Sequence, residues 1–586
     1  MGQTIPPANP SPLTRNSSLS AASFTPGVSN SHCAASAVTL PASVSDAIRD
    51  AAGREISYNG GEPDCPARRR EKEGGVMVES GEKHRLLILA LCGCAVAASA
   101  GETGDSRLVN AARNQDLKTV RMLIAQKSNP NARASDGSTA LLWAAHWNDV
   151  GMAEALLAAG ADANAANDFG MTPLWQACTN GSAALVHSLL KAGATPNTAI
   201  ATGETPLMTC ARSGSADAVR MLAEYGAAID AKEPTQNQTA LMWAAAEKHP
   251  EVVKALIEAH ADLTAFSKQG FSALHFAARV GDLESVKLLL AAGVDMNLLT
   301  GSPTGATNRV TSQLGIPKTV GTFGYTPLLV ATVRGQVETA LYLLDRGADP
   351  NNEAAGYTPL HWAAGKWESF TANPVYGFDD AMSGIADRQA KLRLVRALLA
   401  HGANVNARMT KPQPSFAGGY LDAVGATPFL LAAAANDMEM MRLLLAAGAD
   451  PKIRTATNAS AIAAAAGLNH SIGEDLVTEA QAMETVKFLL DLGVDPKGET
   501  TFGENALFGP AYRGWNKLLA ELIDLGVNVN AVSKAGVTPY LAANGQGDRL
   551  GGVLYNKEGA NLLVKHGADP ALGRPCASQN KCRAEQ

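Results

Sequence analysis

The residues best suited to chemistry are the eight cysteines and eleven histidines of this chain, and they match no catalytic or metal-binding motif. The sequence has no Gly-x-Ser-x-Gly nucleophile turn, no His-Glu-x-x-His helix, no phosphate-binding loop and no Cys-x-x-Cys-His segment. The glycine pair Gly545-Gln546-Gly547 follows no predicted strand, so it is a poor phosphate site. We therefore predict that the protein is not an enzyme and binds no metal or cofactor.

These scattered residues lie in a chain that repeats itself with a period of about 33 residues. The best copies begin at Gly137, Gly170, Gly324 and Gly356, continue into a Leu-Leu run and close with Ala-Gly-Ala-Asp or Arg-Gly-Ala-Asp. About twelve units begin near residues 105, 137, 170, 203, 238, 270, 324, 356, 425, 458, 503 and 536. Such a period is typical of a stacked solenoid, which we place at residues 101–575.

Each unit has the signals of two short helices joined by turns. In Thr172-Pro173-Leu174 the threonine can cap a helix, and proline occupies the first turn, where its missing N–H has no partner to lose. In the second helix Met152 and Leu156 recur at helical spacing, and Gly160 can end that helix. The sequence therefore predicts an all-α array of helix–turn–helix units.

These motifs resemble the ankyrin-repeat family over roughly residues 105–575. The resemblance implies L-shaped units with paired helices and hairpin-like fingers. The family's Thr-Pro-Leu-His occurs whole only at residues 358–361, with a weaker copy at Ser272-Ala273-Leu274-His275. That histidine normally bonds between repeats, and apolar residues replace it in most units. They are Leu142, Trp175, Met208, Met242, Leu329 and Leu430.

The resemblance also implies where a protein partner would bind, namely at the hairpin tips and at the ends of the first helices, on the concave side. The aromatic residues at the tips are Phe169, Phe271, Phe323, Tyr325, Tyr357 and Phe502. Exposed aromatic side chains would anchor a partner. The alternative is that several of them pack against the adjacent finger.

The first-helix ends carry cations and aromatic residues, although the chain is acidic overall, with a net charge of -6. They are His146, Trp147, Arg212, Lys248, Arg279, Arg334, Lys366, Tyr512 and Arg513. We predict that this set binds an acidic protein, and the alternative is a solvated face. Trp143, Trp243 and Trp362 occupy a neighbouring position, which we assign to the core. The charge excludes the basic surface of a nucleic-acid-binding protein.

Four insertions break the period. Residues 298–323 and 409–424 extend turns between repeats, and residues 367–388 and 471–481 extend loops between paired helices. Insertions in solenoids often lie on the binding face, although plain surface variation is the alternative. An enzyme site built from 298–323, 367–388 and 409–424 is a further alternative, but no nucleophile–base or metal set can be named there.

A candidate signal peptide lies inside the chain, at residues 77–100. It has a basic start at Lys83, a short apolar stretch and a cleavage site at Ala98-Ser99-Ala100. We predict that translation begins at Met77 and that residues 1–76 are a mis-assigned or disordered extension. The alternative is a buried apolar helix after a flexible arm. With the signal, the mature protein is periplasmic or secreted and not stably membrane-inserted. Without it, the protein is cytoplasmic.

The remaining cysteines depend on that compartment. Cys178 and Cys210 fall in the Ala-Ala position of their repeats, so we interpret them as small buried apolar residues. Cys576 and Cys582, in the polar tail at 576–586, could close a disulfide loop in an oxidising periplasm.

The leading hypothesis is therefore an exported bacterial ankyrin-repeat scaffold that binds a protein partner. The alternative is an effector-like protein delivered to another cell, where it would bind a host protein.

Overall fold

The fold was obtained as a computed structural model that describes residues 106–301, 309–311, 317–319, 324–366, 385–411, 423–468, 477–546 and 555–573. Within these residues there are 24 helices and one two-stranded ribbon. In the first six repeats the helices are α1 Arg107–Arg113, α2 Leu117–Ala125, α3 Ala140–His146, α4 Val150–Ala158, α5 Pro173–Thr179, α6 Ala183–Lys191, α7 Pro206–Arg212, α8 Ala216–Glu224, α9 Ala240–Ala246, α10 Pro250–Glu258, α11 Ala273–Val280 and α12 Leu283–Ala291.

The strands β1 Arg309–Thr311 and β2 Pro317–Thr319 pair antiparallel in the insertion that follows α12. The later helices are α13 Pro327–Val333, α14 Val337–Asp345, α15 Pro359–Ala364, α16 Arg388–Ala400, α17 Pro428–Ala434, α18 Met438–Ala446, α19 Ala461–Ala465, α20 Glu479–Asp491, α21 Phe508–Arg513, α22 Asn516–Asp524, α23 Pro539–Ala543 and α24 Lys557–Lys565. Across the described residues these helices form twelve pairs, which confirms the predicted all-α solenoid.

Each odd-numbered first helix packs on the even-numbered second helix that follows it, and most of them also pack on the first helix of the next repeat. The first helices begin as the sequence predicts. The Thr172 hydroxyl accepts from the Trp175 N–H at 3.1 Å, and Pro173 occupies the first turn. Most first helices have seven residues, so they are short elements that depend on packing rather than on intrinsic helix stability.

Alanine in the middle of each first helix allows the neighbouring repeats to approach closely. Ala144, Ala145 and Ala177 are fully buried, and the same positions in later repeats are also buried. Leucine, valine and methionine from the second helices complete one continuous core along the array. Repeat stability therefore depends on contacts between neighbours, as in other solenoids.

Asparagine side chains link successive repeats in the turns after six of the second helices. The Asn164 amide donates to the Gly193 carbonyl at 2.9 Å and accepts from the Thr195 N–H at 2.7 Å. The same two-way bridge is made by Asn131, Asn197, Asn351, Asn406 and Asn530. Each amide satisfies two backbone groups that the helix end leaves open.

The two histidines of the Thr-Pro-Leu-His copies are buried and bond between repeats. His361 Nδ1 bonds to the Thr358 hydroxyl, and His361 Nε2 lies 3.0 Å from the Ala407 carbonyl. His275 Nε2 similarly reaches the carbonyls of Leu298 and Tyr325 at 3.1 Å. Burial lowers the pKa of each imidazole to about 4, so both are neutral at pH 7.

Cys178 and Cys210 are fully buried, as predicted, but they are not separate apolar residues. The structure joins them in a disulfide between α5 and α7, with their Cα atoms 4.4 Å apart. The sequence interpretation missed this bond because it treated each repeat separately. The spacing in the sequence indicates the bond. The two cysteines are 32 positions apart, which is close to one repeat, so they face each other in the stack.

Candidate partner-binding surface

The first-helix ends place nine predicted binding residues at related positions along the array. We call this set the helix-end row: His146, Trp147, Arg212, Lys248, Arg279, Arg334, Lys366, Tyr512 and Arg513. Trp147, Lys248 and Lys366 are exposed, and the other members are half-buried. The structure therefore keeps the whole row at least partly open to solvent, and its role in binding stays a prediction.

An aromatic cluster forms the N-terminal part of the row. Trp147 is 41% exposed and stacks on Trp143 with the ring centroids 6.3 Å apart. His146 meets both indoles edge-on, and the Arg113 guanidinium lies 5.3 Å from the Trp143 ring centroid. Burial lowers the pKa of His146, so its ring is neutral at pH 7. The cluster presents a rigid apolar surface with one cation beside it.

Arg212 repeats part of this arrangement three repeats after Arg113. Its guanidinium lies 4.8 Å from the Trp243 ring centroid and 3.5 Å from a carboxylate oxygen of Glu204. The side chains of Arg212 and Glu204 are 18% and 11% exposed, so this pair is shielded from much of the solvent. Arg212 therefore offers less free charge than its position in the sequence suggests.

The remaining members of the row differ in how their backbones and side chains are held. Lys248 lies in the exposed turn after α9. The Arg279 carbonyl accepts from the Gln336 amide at 3.4 Å, which ties this helix end to the next repeat. Arg513 lies 4.8 Å from the ring centroid of Trp515, itself a buried residue. Lys248 is thus the clearest exposed cation in the central part of the row.

Three of the predicted tip aromatics are buried, and the expectation that they are exposed is wrong. Phe271, Tyr325 and Tyr357 are 8%, 4% and 3% exposed. Phe271 packs edge-on against the His275 ring, with the centroids 5.7 Å apart. These residues pack against their own and adjacent fingers, which was the alternative interpretation, so we remove them from the candidate surface.

The two tyrosines form a polar pair inside the fingers. Their hydroxyl groups hydrogen-bond to each other, and their ring centroids are 6.0 Å apart. Burial raises the pKa of the Tyr325 hydroxyl, and burial together with Tyr325 raises the pKa of the Tyr357 hydroxyl further. Both hydroxyls are therefore protonated at neutral pH and serve the packing between repeats.

Phe169 and Phe502 come before the turn glycine of their repeats, whereas the three buried tip aromatics come directly after it. Phe169 precedes Gly170 and is 49% exposed, and Phe502 precedes Gly503 and is half-buried, with the Lys534 ammonium 5.5 Å from its ring centroid. These two tips remain accessible. Phe323, together with Cys576, Cys582 and the signal segment at 77–100, lies outside the described residues, so those predictions stay as they were made.

Sequence reasoning missed Arg113. It ends α1 at the position that His146 and Arg212 occupy in α3 and α7, and the period of about 33 residues could have identified it. The polar residues that follow it, Asn114, Gln115 and Asp116, are typical of an N-terminal capping repeat and do not by themselves indicate a binding surface. Arg113 now extends the candidate surface to the first repeat.

In the described part of the chain, no group of three or more His, Cys, Asp or Glu residues could hold a metal ion. Likewise, none of the helices in the described ranges is long and apolar enough to cross a membrane.

Family models identify the repeats directly. The model for three ankyrin repeats matches residues 76–167, 108–200, 156–233, 229–300 and 304–370, and the single-repeat model matches 355–410 and 424–456. Together these matches span more than half of the chain. The protein belongs to the ankyrin-repeat family. Ankyrin repeats indicate a protein–protein interaction scaffold, and the fold is typically non-enzymatic.

Two individual proteins are similar over parts of the chain. Protein PhlB of Serratia liquefaciens is 38% identical over 127 residues, which are 22% of this chain and 47% of that protein. The match thus spans about half the length of that bacterial relative. The crystal structure of the human ASB11 ankyrin repeat domain matches 42% of this chain and all of that domain, with 27% identity and a TM-score of 0.34.

Proposed function

We propose that the protein is an exported scaffold that binds an acidic protein partner across the helix-end row. The observation that carries this proposal is the partly exposed cluster around Trp147, together with cations at equivalent helix ends. Aromatic side chains and arginine dominate the energy of many protein interfaces. A stacked array is also ordered before binding, so little conformational entropy is lost on association.

The acidic character of the partner follows from the charges of the row. Arg113, Lys248 and Lys366 supply cations at the helix ends, and Glu247 is an exposed acid among them. The chain as a whole is negative, with a net charge of -6. An acidic partner would therefore be attracted to this row and repelled by the rest of the surface.

Charge reversal at Lys248 tests the proposal. The full-length protein is used to capture partners from periplasmic and extracellular fractions, and the captured protein is then titrated. Lys248→Glu should weaken binding about 3- to 10-fold at low salt, with a smaller difference at 0.5 M salt, because screening weakens exposed charges. Lys254→Glu is the matched control, since Lys254 is also exposed but lies on the second helix α10.

Two outcomes of that titration would contradict the proposal. One is equal weakening by Lys248→Glu and Lys254→Glu, which would mean that only net charge matters. The other is a captured partner whose affinity neither substitution changes, which would place the interface on another face.

Export is a separate part of the proposal and rests on residues 77–100. The buried Cys178–Cys210 disulfide supports it, because structural disulfides persist mainly in oxidising compartments. N-terminal sequencing of the mature protein tests it. We expect Gly101 as the first residue, and a mature chain that begins at Met1 would contradict export through this segment.

A further inference from the structure

The interface between the third and fourth repeats differs from the others in two facing residues. Cys178 on α5 and Cys210 on α7 are joined, and both are fully buried. The equivalent pairs at most other interfaces are alanines, which are likewise buried. Examples are Ala145 with Ala177, Ala211 with Ala244, Ala245 with Ala277, and Ala433 with Ala465. The array thus stacks mainly on alanine at this position, and the two cysteines occur there as a facing pair.

We infer that this bond is a permanent cross-link between the two repeats, made before they finish stacking and closed to reductants afterwards. The separation of 4.4 Å between the Cα atoms is within the range that a disulfide spans. Neither side chain has solvent exposure in the stacked array. A disulfide forms when a thiolate of the protein attacks the disulfide of an oxidant, and it breaks when an external thiolate attacks it. Both steps need access to sulfur.

The chemistry requires an oxidant with its own disulfide. One cysteine thiolate attacks that disulfide and forms a mixed disulfide, releasing the first thiolate of the oxidant. The second cysteine thiolate then attacks the mixed disulfide, forms the Cys178–Cys210 bond and releases the second thiolate. The protein loses two electrons and two protons, and the oxidant is reduced to two thiols.

The cross-link should hold the N-terminal part of the array together. A disulfide restricts the unfolded chain, and the restriction grows with the length of the loop that it closes. Here the loop spans about one repeat, from the last turn of α5 to the last turn of α7. The inference does not depend on the partner or on the route of export, since the bond can be formed and tested in solution.

Peptide mapping tests the bond directly. The full-length chain is reduced, unfolded, refolded with oxidised and reduced glutathione, alkylated without further reduction and digested with trypsin. Cys178 and Cys210 fall in separate tryptic peptides, residues 134–191 and 192–212. We expect these peptides to be linked, whatever the state of the other six cysteines. Free, alkylated thiols at both positions would overturn the inference.

Access to the bond is measured by reduction with dithiothreitol in native buffer and in urea. We expect the linked peptides to survive at least tenfold longer in native buffer, because the sulfurs are buried. Equal rates would overturn the claim that stacking closes the bond. Cys178→Ala/Cys210→Ala restores the alanine pair of the other interfaces, so this variant should fold.

Once the disulfide has been reduced with dithiothreitol in urea, the wild-type chain should have a lower urea midpoint of unfolding than the oxidised chain. The same treatment should not lower the midpoint of the double-alanine variant. An equal shift in both proteins would assign the effect to other cysteines and overturn the stabilising role.

Discussion

The indole N–H of Trp147 donates to the carbonyl of Arg113 at 3.1 Å, which fixes an exposed ring of the second repeat to the helix end of the first. The hydrogen bond and the stacking on Trp143 hold the indole in one orientation. An aromatic residue that is ordered before binding loses little entropy when a partner covers it. Trp147 therefore has the properties of an anchor residue.

Trp147→Ala should weaken binding of the partner about fivefold or more, because anchor residues typically contribute more than about 1 kcal/mol. The free energy of unfolding should fall by about 1 kcal/mol from the lost hydrogen bond. Tyr225→Ala is the control, since Tyr225 is 45% exposed at the end of the second helix α8. Titration calorimetry gives the affinities. An unchanged affinity in Trp147→Ala would remove Trp147 from the interface.

For the buried pair Tyr325 and Tyr357 we expect the opposite result, namely a loss of stability without a loss of partner affinity. Tyr325→Phe should lower the free energy of unfolding by about 1–3 kcal/mol, because it leaves the Tyr357 hydroxyl buried without its partner. Partner affinity should not change. Urea unfolding of Tyr325→Phe, Tyr357→Phe and the double variant forms a cycle. We expect the double variant to lose less than the sum of the single variants, and additive losses would contradict a coupled pair.

The sequence is sufficient to predict the helices but not which tip residues are exposed, and the turn glycine accounts for this difference. The period, the threonine caps and the buried alanines were sufficient to predict the helices. The predicted exposure of the tip aromatics is wrong for three of them, because the repeat pattern alone does not distinguish residues before the glycine from residues after it. Phe169 precedes Gly170 and is exposed, whereas Tyr325 follows Gly324 and is buried.

The glycine explains this difference in physical terms. Gly324 has φ near 80°, which reverses the chain, so the next residue already approaches the core ahead of the Thr326 cap. The disulfide was missed for another reason. A contact between repeats appears only when equivalent positions in successive units are compared.

The asparagine bridges should contribute to stability at each junction. Asn164→Ala removes two hydrogen bonds between repeats and should lower the free energy of unfolding by about 1–2 kcal/mol. Thr264→Ala is the matched control, since Thr264 holds the equivalent position but bonds to Asp262 in its own turn. Urea unfolding followed by tryptophan fluorescence measures both. A loss in Thr264→Ala as large as in Asn164→Ala would show that bridging has no special effect.

The two buried histidines predict a pH dependence. Their folded pKa of about 4 lies below the unfolded value of 6.5, so the unfolded chain binds protons first as the pH falls. The stability that they contribute is complete above pH 6.5 and is lost as the pH falls toward 4, by roughly 3 kcal/mol for each histidine.

The control is His275→Leu/His361→Leu, which places at both positions the residue found at Leu142 and Leu329. Urea unfolding at pH 7 and pH 4.5 should show a smaller loss of stability in this variant than in the wild type. The same loss in both proteins would mean that other groups, such as carboxylates, cause the pH dependence.

The central claim, that a partner covers the helix-end row, is tested most directly by hydrogen–deuterium exchange of the full-length protein with and without its captured partner. We predict slower exchange in the segments that contain residues 146–148, 212–214 and 246–248, with little change on the second helices α4, α8 and α10. Protection confined to those second helices, with the helix-end row unchanged, would contradict the account.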